Sequence, residues 1–266
     1  MSEAEILYDV DQHVATVTLN RPERMNAIST TMLAQFAETL VECDRDTDVR
    51  VVLITGSGRG FCAGLDLQEA GQGKGIGGSG GAGAATSKFD LRDAPPTVLH
   101  NLDKPTICAL NGGAAGYGMD LALGCDMRIA SHQSKLSAAF TKRGVLPESG
   151  GTWLLPRILG WAKAAEVAFA GRTLLADECL ELGLVNKVVP HDQLMKEARA
   201  LALEIAENAP LAVQATKRMM RMGMDETFEA NVHHVYLQLL PLFRSKDFQE
   251  GVSAFLEKRK PEFEGR

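Results

Sequence analysis

The chain has 266 residues, 45% of them hydrophobic, and a net charge of −6, enough to bury a sizeable core but the wrong sign for a nucleic-acid partner. Its five cysteines are an odd number without metal-type spacing, which points to buried thiols in a reducing compartment and to no metal site. The opening MSEAEILYDV has no basic n-region or apolar run and no stretch reaches membrane-spanning length, so a cytoplasmic protein without a membrane partner is expected.

In chain order, Ile6–Val10 and His13–Leu19 read as a hairpin turning at Asp11-Gln12, with Val14, Thr16 and Thr18 alternating against Ala15, Val17 and Leu19. Asn20–Asn26 is a polar loop. Ser29 or Thr30 can cap a helix whose Leu33, Phe36, Ala37, Leu40 and Val41 follow helical spacing. Arg50–Thr55 reads as a strand buried on both faces. It runs into Gly56–Leu67, GSGRGFCAGLDL, a glycine-rich turn ending at Phe61-Cys62-Ala63-Gly64, with Asp66 beyond as a brace. Gly71–Ala84 is low in complexity and is expected to be a mobile loop. Its Gly77–Gly81 run around Ser79 matches a nucleophile pattern by letter only, with no strand before it. Pro95-Pro96 breaks the chain, and Thr97–Leu102 reads as a short helix.

The organising stretch is Lys104–His132, KPTICALNGGAAGYGMDLALGCDMRIASH. Thr106–Leu110 reads as a strand, Asn111–Gly118 as a glycine-laced turn, Met119–Leu123 as a short helix and Met127–Ala130 as a returning strand. Glycine lets backbone approach a ligand closely, and a helix start offers unpaired N–H groups and a positive dipole end. Asp120 puts a carboxylate on the same lip, so the turn suits developing negative charge beside an acid. Gly113, Gly116 and Gly118 equally fit a tight strand-to-helix crossing. The spacing is not that of a dinucleotide fingerprint. Strand, glycine turn and helix recur in both special stretches, which suggests stacked ββα units.

Further on, Lys135–Phe140 reads as a strand and Gly144–Gly151 as a turn carrying Glu148. Thr152–Ile158 and Ala162–Ala170 read as helices parted by Gly160, Ala176–Leu182 as another, and Leu184–Val189 as a strand. Gln193–Ala206, Pro210–Met222, Thr227–Leu240 and Asp247–Arg259 read as helices. The expected layout is an α/β core over residues 1–195 and a helical region over residues 196–266.

The fragments NRPERMNAI at Asn20–Ile28, GRGFCAGLDL at Gly58–Leu67 and the central stretch, followed by GVLPESGGTWLLPRILG at Gly144–Gly160, GLVNKVV at Gly183–Val189 and AFLEKRKPEF near the end, resemble the enoyl-CoA hydratase/isomerase (crotonase) superfamily. The resemblance runs nearly end to end. It implies an α/β core of repeated ββα units with a C-terminal helical trimerisation region, assembled as a homotrimer or homohexamer. It also implies an acyl-CoA thioester as substrate and no separate cofactor.

By the same resemblance the oxyanion hole falls on the backbone N–H groups of Ala63 and Tyr117. Arg24 and Met25 fall along the CoA pantetheine and phosphates. Phe255 and Lys258 fall where a neighbouring subunit can meet the CoA nucleotide, although Lys258-Arg259-Lys260 also fits a solvated helix end. Family hydratases hold water between two glutamates. The first position is Asp120 here; the second is Phe140, which cannot hold water or move a proton. A compensating acid stands at Glu148, where several family isomerases carry a catalytic carboxylate. The resemblance therefore implies proton shuttling on an enoyl-CoA, with Glu148 as acid/base and Asp120 as second acid, each also fitting a helix-start acid. Hydration by Asp120 and Glu148 together, or acyl-CoA binding without turnover, stay open alternatives. Leu146 and Trp153 read as core or acyl-pocket wall.

Overall fold

The computed structural model describes residues 4–71 and 94–266. The run expected to be a mobile loop, Gly71–Ala84, lies outside the described residues except for Gly71, and so does Ser79. Two strands open the fold, β1 (Ile6–Asp11) and β2 (Val14–Leu19), paired antiparallel. They turn at Gln12 and His13, both with positive φ (50° and 66°), the two-residue geometry whose twist suits a hairpin. The turn falls one residue later than expected because His13 is held from outside the hairpin: its Nδ1 lies 2.8 Å from the Asp48 carbonyl, and its own carbonyl accepts the Arg50 N–H.

Helix α1 (Thr30–Arg45) starts at Ser29, whose Oγ accepts the Met32 N–H at 2.9 Å, and buries Met32, Phe36, Leu40 and Cys43. Strand β3 (Val51–Gly56) is buried at every residue because it is covered on both faces. It lies between β2 and β5 (Thr106–Leu110), and the sheet continues through β7 (Met127–Ser131) to β10 (Lys187–Val189) in the order β1-β2-β3-β5-β7-β10. Alternation along these strands divides the core. Val17, Leu19, Ile54, Cys108 and Leu110 face α1 and the site side. Val14, Val51, Leu53, Ile107 and Ile129 face Leu194, Ala198, Ala202 and Ala206.

A second sheet was not legible in the sequence. It joins β4 (Gly60–Cys62), β6 (Gly113–Ala115), β8 (Lys135–Ser137) and β9 (Thr173–Leu175) in that order. The first two lie inside the stretches expected to be turns, β8 stops short of Phe140, and β9 had no sequence signal. Strands of three residues owe their state to partners across the chain rather than to propensity. Each of β3, β5 and β7 is thus followed by a short strand of the second sheet, and two of these pairs lead to a helix: α2 (Leu67–Gly71) and α4 (Tyr117–Gly124). This is the repeated ββα core.

Between them, α3 spans Pro95–Asn101, starting at the prolines rather than after them. Then follow α5 (Gly151–Leu159), α6 (Trp161–Phe169) and α7 (Ala176–Glu181). The last third holds α8 (Leu194–Ala206), α9 (Pro210–Gly223), α10 (Phe228–Leu242) and α11 (Lys246–Glu257). Helix α8 packs on one face of the sheet through Leu194, Ala198, Ala202 and Ala206. Helix α9 is tied to the core by Arg218 Nε on Asp103 (3.1 Å) and Lys217 on Asp126 (2.7 Å). The C-terminal tail folds back, with buried Asp247 accepting the Glu264 N–H at 2.7 Å and Arg50 donating to the Phe263 carbonyl at 2.6 Å. No helix among the described residues is long and apolar enough to cross a membrane.

Candidate active site

The two glycine turns meet because side chains are missing where the backbones cross. A Cβ on Gly118 would strike Cys62, 2.7 Å from its Cβ, so α4 can start directly against β4. Gly64 has φ +101°, and a Cβ there would lie 2.8 Å from the Ala115 carbonyl oxygen and 3.7 Å from the Tyr117 nitrogen. Gly64 and Tyr117 are therefore neighbours across the two turns. Tyr117 is the first residue of α4, and its N–H has no acceptor among the described residues. The helix dipole reinforces that donor. At the other end of α4 the buried Arg128 guanidinium donates to the carbonyls of Ala122 (3.2 Å), Leu123 (3.3 Å) and Cys125 (2.6 Å). A cation on those carbonyls complements the dipole and pins the helix that carries Tyr117.

Ala63 is placed differently. Its N–H donates to the Met25 carbonyl at 3.0 Å, so of the two backbone donors expected, Tyr117 is open and Ala63 is engaged. The cause is the loop that contains Arg24 and Met25. A 3₁₀ turn over Pro22–Arg24 ends with Met25 at φ 53° and Asn26 at φ 55°. Asn26 is fully buried: its Nδ2 donates to the carbonyls of Ser57 (2.9 Å) and Gly60 (2.8 Å), and its Oδ1 accepts the Arg21 N–H (2.9 Å). These bonds fold the loop onto β4 and bring the Met25 carbonyl to Ala63.

The acids sit beyond this crossing. Asp120 is 1% exposed on α4, and its Oδ2 accepts the N–H groups of Ser149 and Gly151, each at 3.2 Å. Its Oδ1 is buried with no partner among the described residues. Burial pushes the carboxyl up to about 7, against the pull of the two N–H groups. Glu148 lies on the loop before α5, exposed, with its carboxyl raised by partial desolvation at the lip. Val145 and Leu146, 55% and 64% exposed, give that lip an apolar edge. Tyr117 turns its ring inward, and its buried hydroxyl has no partner among the described residues. Phe140 is buried, its ring 3.8 Å from where a Gly116 Cβ would stand. It walls the helix start with an apolar surface.

Arg24 and Met25 lie on the loop just described. Arg24 donates to Gln68 Oε1 at 2.5 Å, and Met25 Sδ accepts from Arg59 Nε at 3.2 Å. Arg59 is an exposed cation beside Met25 that sequence reading passed over; its only signal was a basic residue inside the first glycine turn. Phe255, 83% exposed, and Lys258, at the left-handed end of α11, are linked to Arg24 or Met25 by no hydrogen bond among the described residues. Trp153 packs edge-on against His100, with ring centroids 5.2 Å apart, and carries the Arg157 guanidinium 3.9 Å above its ring. Among the described residues no cluster of three or more His, Cys, Asp or Glu could hold a metal ion.

Residues 9–266 match the family model described as enoyl-CoA hydratase/isomerase. The chain belongs to the enoyl-CoA hydratase/isomerase family. It is 41% identical to the 1,2-epoxyphenylacetyl-CoA isomerase of Escherichia coli K12, covering 98% of each chain. It is 38% identical to the (E)-benzylidenesuccinyl-CoA hydratase of Thauera aromatica, over 98% of this chain and 99% of that protein. The crystal structure of an enoyl-CoA hydratase from Bacillus anthracis superimposes with a TM-score of 0.91 at 34% identity, over 99% of this chain and 100% of the other. The chain is thus an enzyme of the isomerase or hydratase class on the crotonase fold.

Proposed function

We propose that this enzyme moves the double bond of an enoyl-CoA by proton transfer, with Glu148 as the acid/base. The observation that carries the reading is the pairing of buried, apolar Phe140 with exposed Glu148. One of the two acids a hydratase uses to hold water is replaced by a ring, while an acid of raised pKa stands at the lip. The Tyr117 N–H polarises the thioester carbonyl. Glu148 removes a proton from C2 of a 3-enoyl-CoA, the electrons pass to a dienolate, and the proton returns at C4 to leave the 2-enoyl-CoA. No water is consumed. A preorganised backbone donor on the enolate oxygen is typically worth ~10²–10³ in rate.

Arg24, Met25 and Arg59 form the surface we assign to the pantetheine and phosphates. Phe255 and Lys258, exposed on α11, serve that role toward a neighbouring subunit of a trimer or hexamer. Two relatives named for aryl-bearing CoA thioesters support including a phenyl-bearing enoyl-CoA beside straight chains as a trial substrate. Hydration is the second reading, favoured by the presence of a second acid, Asp120, close enough to Glu148 for the two charges to raise its carboxyl further. Rates of 3-enoyl to 2-enoyl conversion and of 2-enoyl hydration, measured on the same acyl chains, decide between them. Isomerisation exceeding hydration supports the proposal, and the reverse rejects it. Tight thioester binding with neither activity rejects both.

A further inference from the structure

The loop Pro147–Gly151 closes around a single carboxylate. Asp120 Oδ2 accepts the N–H of Ser149 and the N–H of Gly151, each at 3.2 Å; these residues stand one and three places after Glu148 in the chain. Gly151 lies against the same group: a Cβ there would overlap Asp120 Oδ1, stand 2.8 Å from its Cγ and 2.8 Å from the Pro147 Cβ. Gly150, with φ +103°, supplies the bend. The outcome is a carboxylate whose Oδ2 is tied to two backbone donors and whose Oδ1 is enclosed against Gly151. Neither oxygen is turned to solvent. Glu148, between Pro147 and Ser149, is the acid that is exposed.

We infer that Asp120 is a positioning residue: it holds the backbone that follows Glu148 and does not itself carry the transferred proton. This rests on the assignment of Glu148 as acid/base. Holding two N–H groups fixes the Glu148 Cα relative to α4, the helix that also carries the Tyr117 donor. The distance between base and enolate oxygen is thereby set by one side chain. A reacting group displaced by about 1 Å can cost ~10² in rate, so the clamp matters to the chemical step more than to substrate binding. The requirement for glycine at position 151 follows, because a Cβ would take the space the carboxylate occupies.

The test compares three substitutions with Glu148→Gln, reading kcat and KM for 3-enoyl-CoA isomerisation and amide exchange at Ser149 and Gly151. Asp120→Asn keeps a carbonyl oxygen for both N–H groups and is expected to retain kcat within about tenfold, the loss coming from a neutral rather than charged acceptor. Asp120→Ala removes the acceptor, and Gly151→Ala pushes the carboxylate off its donors while leaving both acids in place. Each should lower kcat ~10²-fold with KM unchanged, and each should speed amide exchange at Ser149 and Gly151. Gly151→Ala and the exchange measurement carry the test if Asp120→Ala does not fold. Asp120→Asn as inactive as Glu148→Gln would overturn the inference by making Asp120 a proton carrier. Wild-type kcat in Asp120→Ala or Gly151→Ala would overturn it by making the clamp irrelevant. Both failures leave Glu148→Gln inactive. Wild-type kcat in Glu148→Gln instead overturns the Glu148 assignment and this inference together.

Discussion

The Met25 carbonyl accepts the Ala63 N–H at 3.0 Å. A thioester oxygen seeking both backbone donors must therefore compete with the enzyme's own loop for one of them. The competitor is held by Asn26, which is fully buried and keeps a left-handed backbone (φ 55°) that asparagine tolerates better than most side chains. Asn26→Ala removes hydrogen bonds to Ser57, Gly60 and Arg21 and leaves their buried partners unpaired. The expected loss is about 3 kcal/mol or more in urea unfolding. A loss below about 1 kcal/mol would show that the loop is not held by this residue.

Asp120 makes stability depend on pH. Its folded carboxyl is raised to about 7 by burial, whereas an unfolded aspartate titrates near ~3.9. The folded state therefore binds more protons across that interval, and stability is full below about pH 4 and falls as pH rises toward about 7. The size is on the order of 4 kcal/mol, from ~1.4 kcal/mol per pKa unit. Asp120→Asn should remove this contribution to the slope of the unfolding free energy between those limits. An unchanged slope in the variant would contradict the burial of the charge.

In the proposed mechanism Tyr117 serves through its backbone. Its hydroxyl is buried without a partner among the described residues, a cost of about 1–3 kcal/mol for an orphaned polar group. Tyr117→Phe keeps the N–H and removes the orphan. Thermal unfolding should occur at higher temperature and isomerisation should stay within a few-fold of wild type. A large fall in kcat would give the hydroxyl a part in the reaction.

Much of this site was legible in the sequence, for reasons that are local. Asp120 and Tyr117 stand at a helix start after a glycine turn, and of the two cap candidates, Ser29 and Thr30, Ser29 caps α1. What could not be read depends on residues far apart in the chain. Nothing near Ala63 announces that the Met25 carbonyl will take its N–H, because that contact is made by Asn26 reaching to Ser57 and Gly60. Strands β4 and β6 look like turns until their partners are known. Gly151 reads as the end of a turn, and its role as the floor under Asp120 Oδ1 exists only once α4 and α5 meet.

Assembly is open to a direct check. Helix α10 buries none of its residues in the single chain, although Phe228, Val232, Tyr236 and Leu240 are all exposed on it. An apolar face of this size calls for a partner surface. Light scattering at micromolar concentration should give the mass of three or six chains. The mass of one chain would contradict a role for α10 in assembly.

The most direct test of the central claim is the reaction of 3-enoyl-CoA in water labelled with heavy oxygen, followed by mass spectrometry of the thioester products. The account predicts a 2-enoyl-CoA carrying no label, formed by wild type and reduced ~10²–10⁴-fold in Glu148→Gln. Recovery of unreacted 3-enoyl-CoA, with labelled 3-hydroxyacyl-CoA formed only when 2-enoyl-CoA is supplied instead, or an unlabelled 2-enoyl-CoA formed at the wild-type rate by Glu148→Gln, would contradict it.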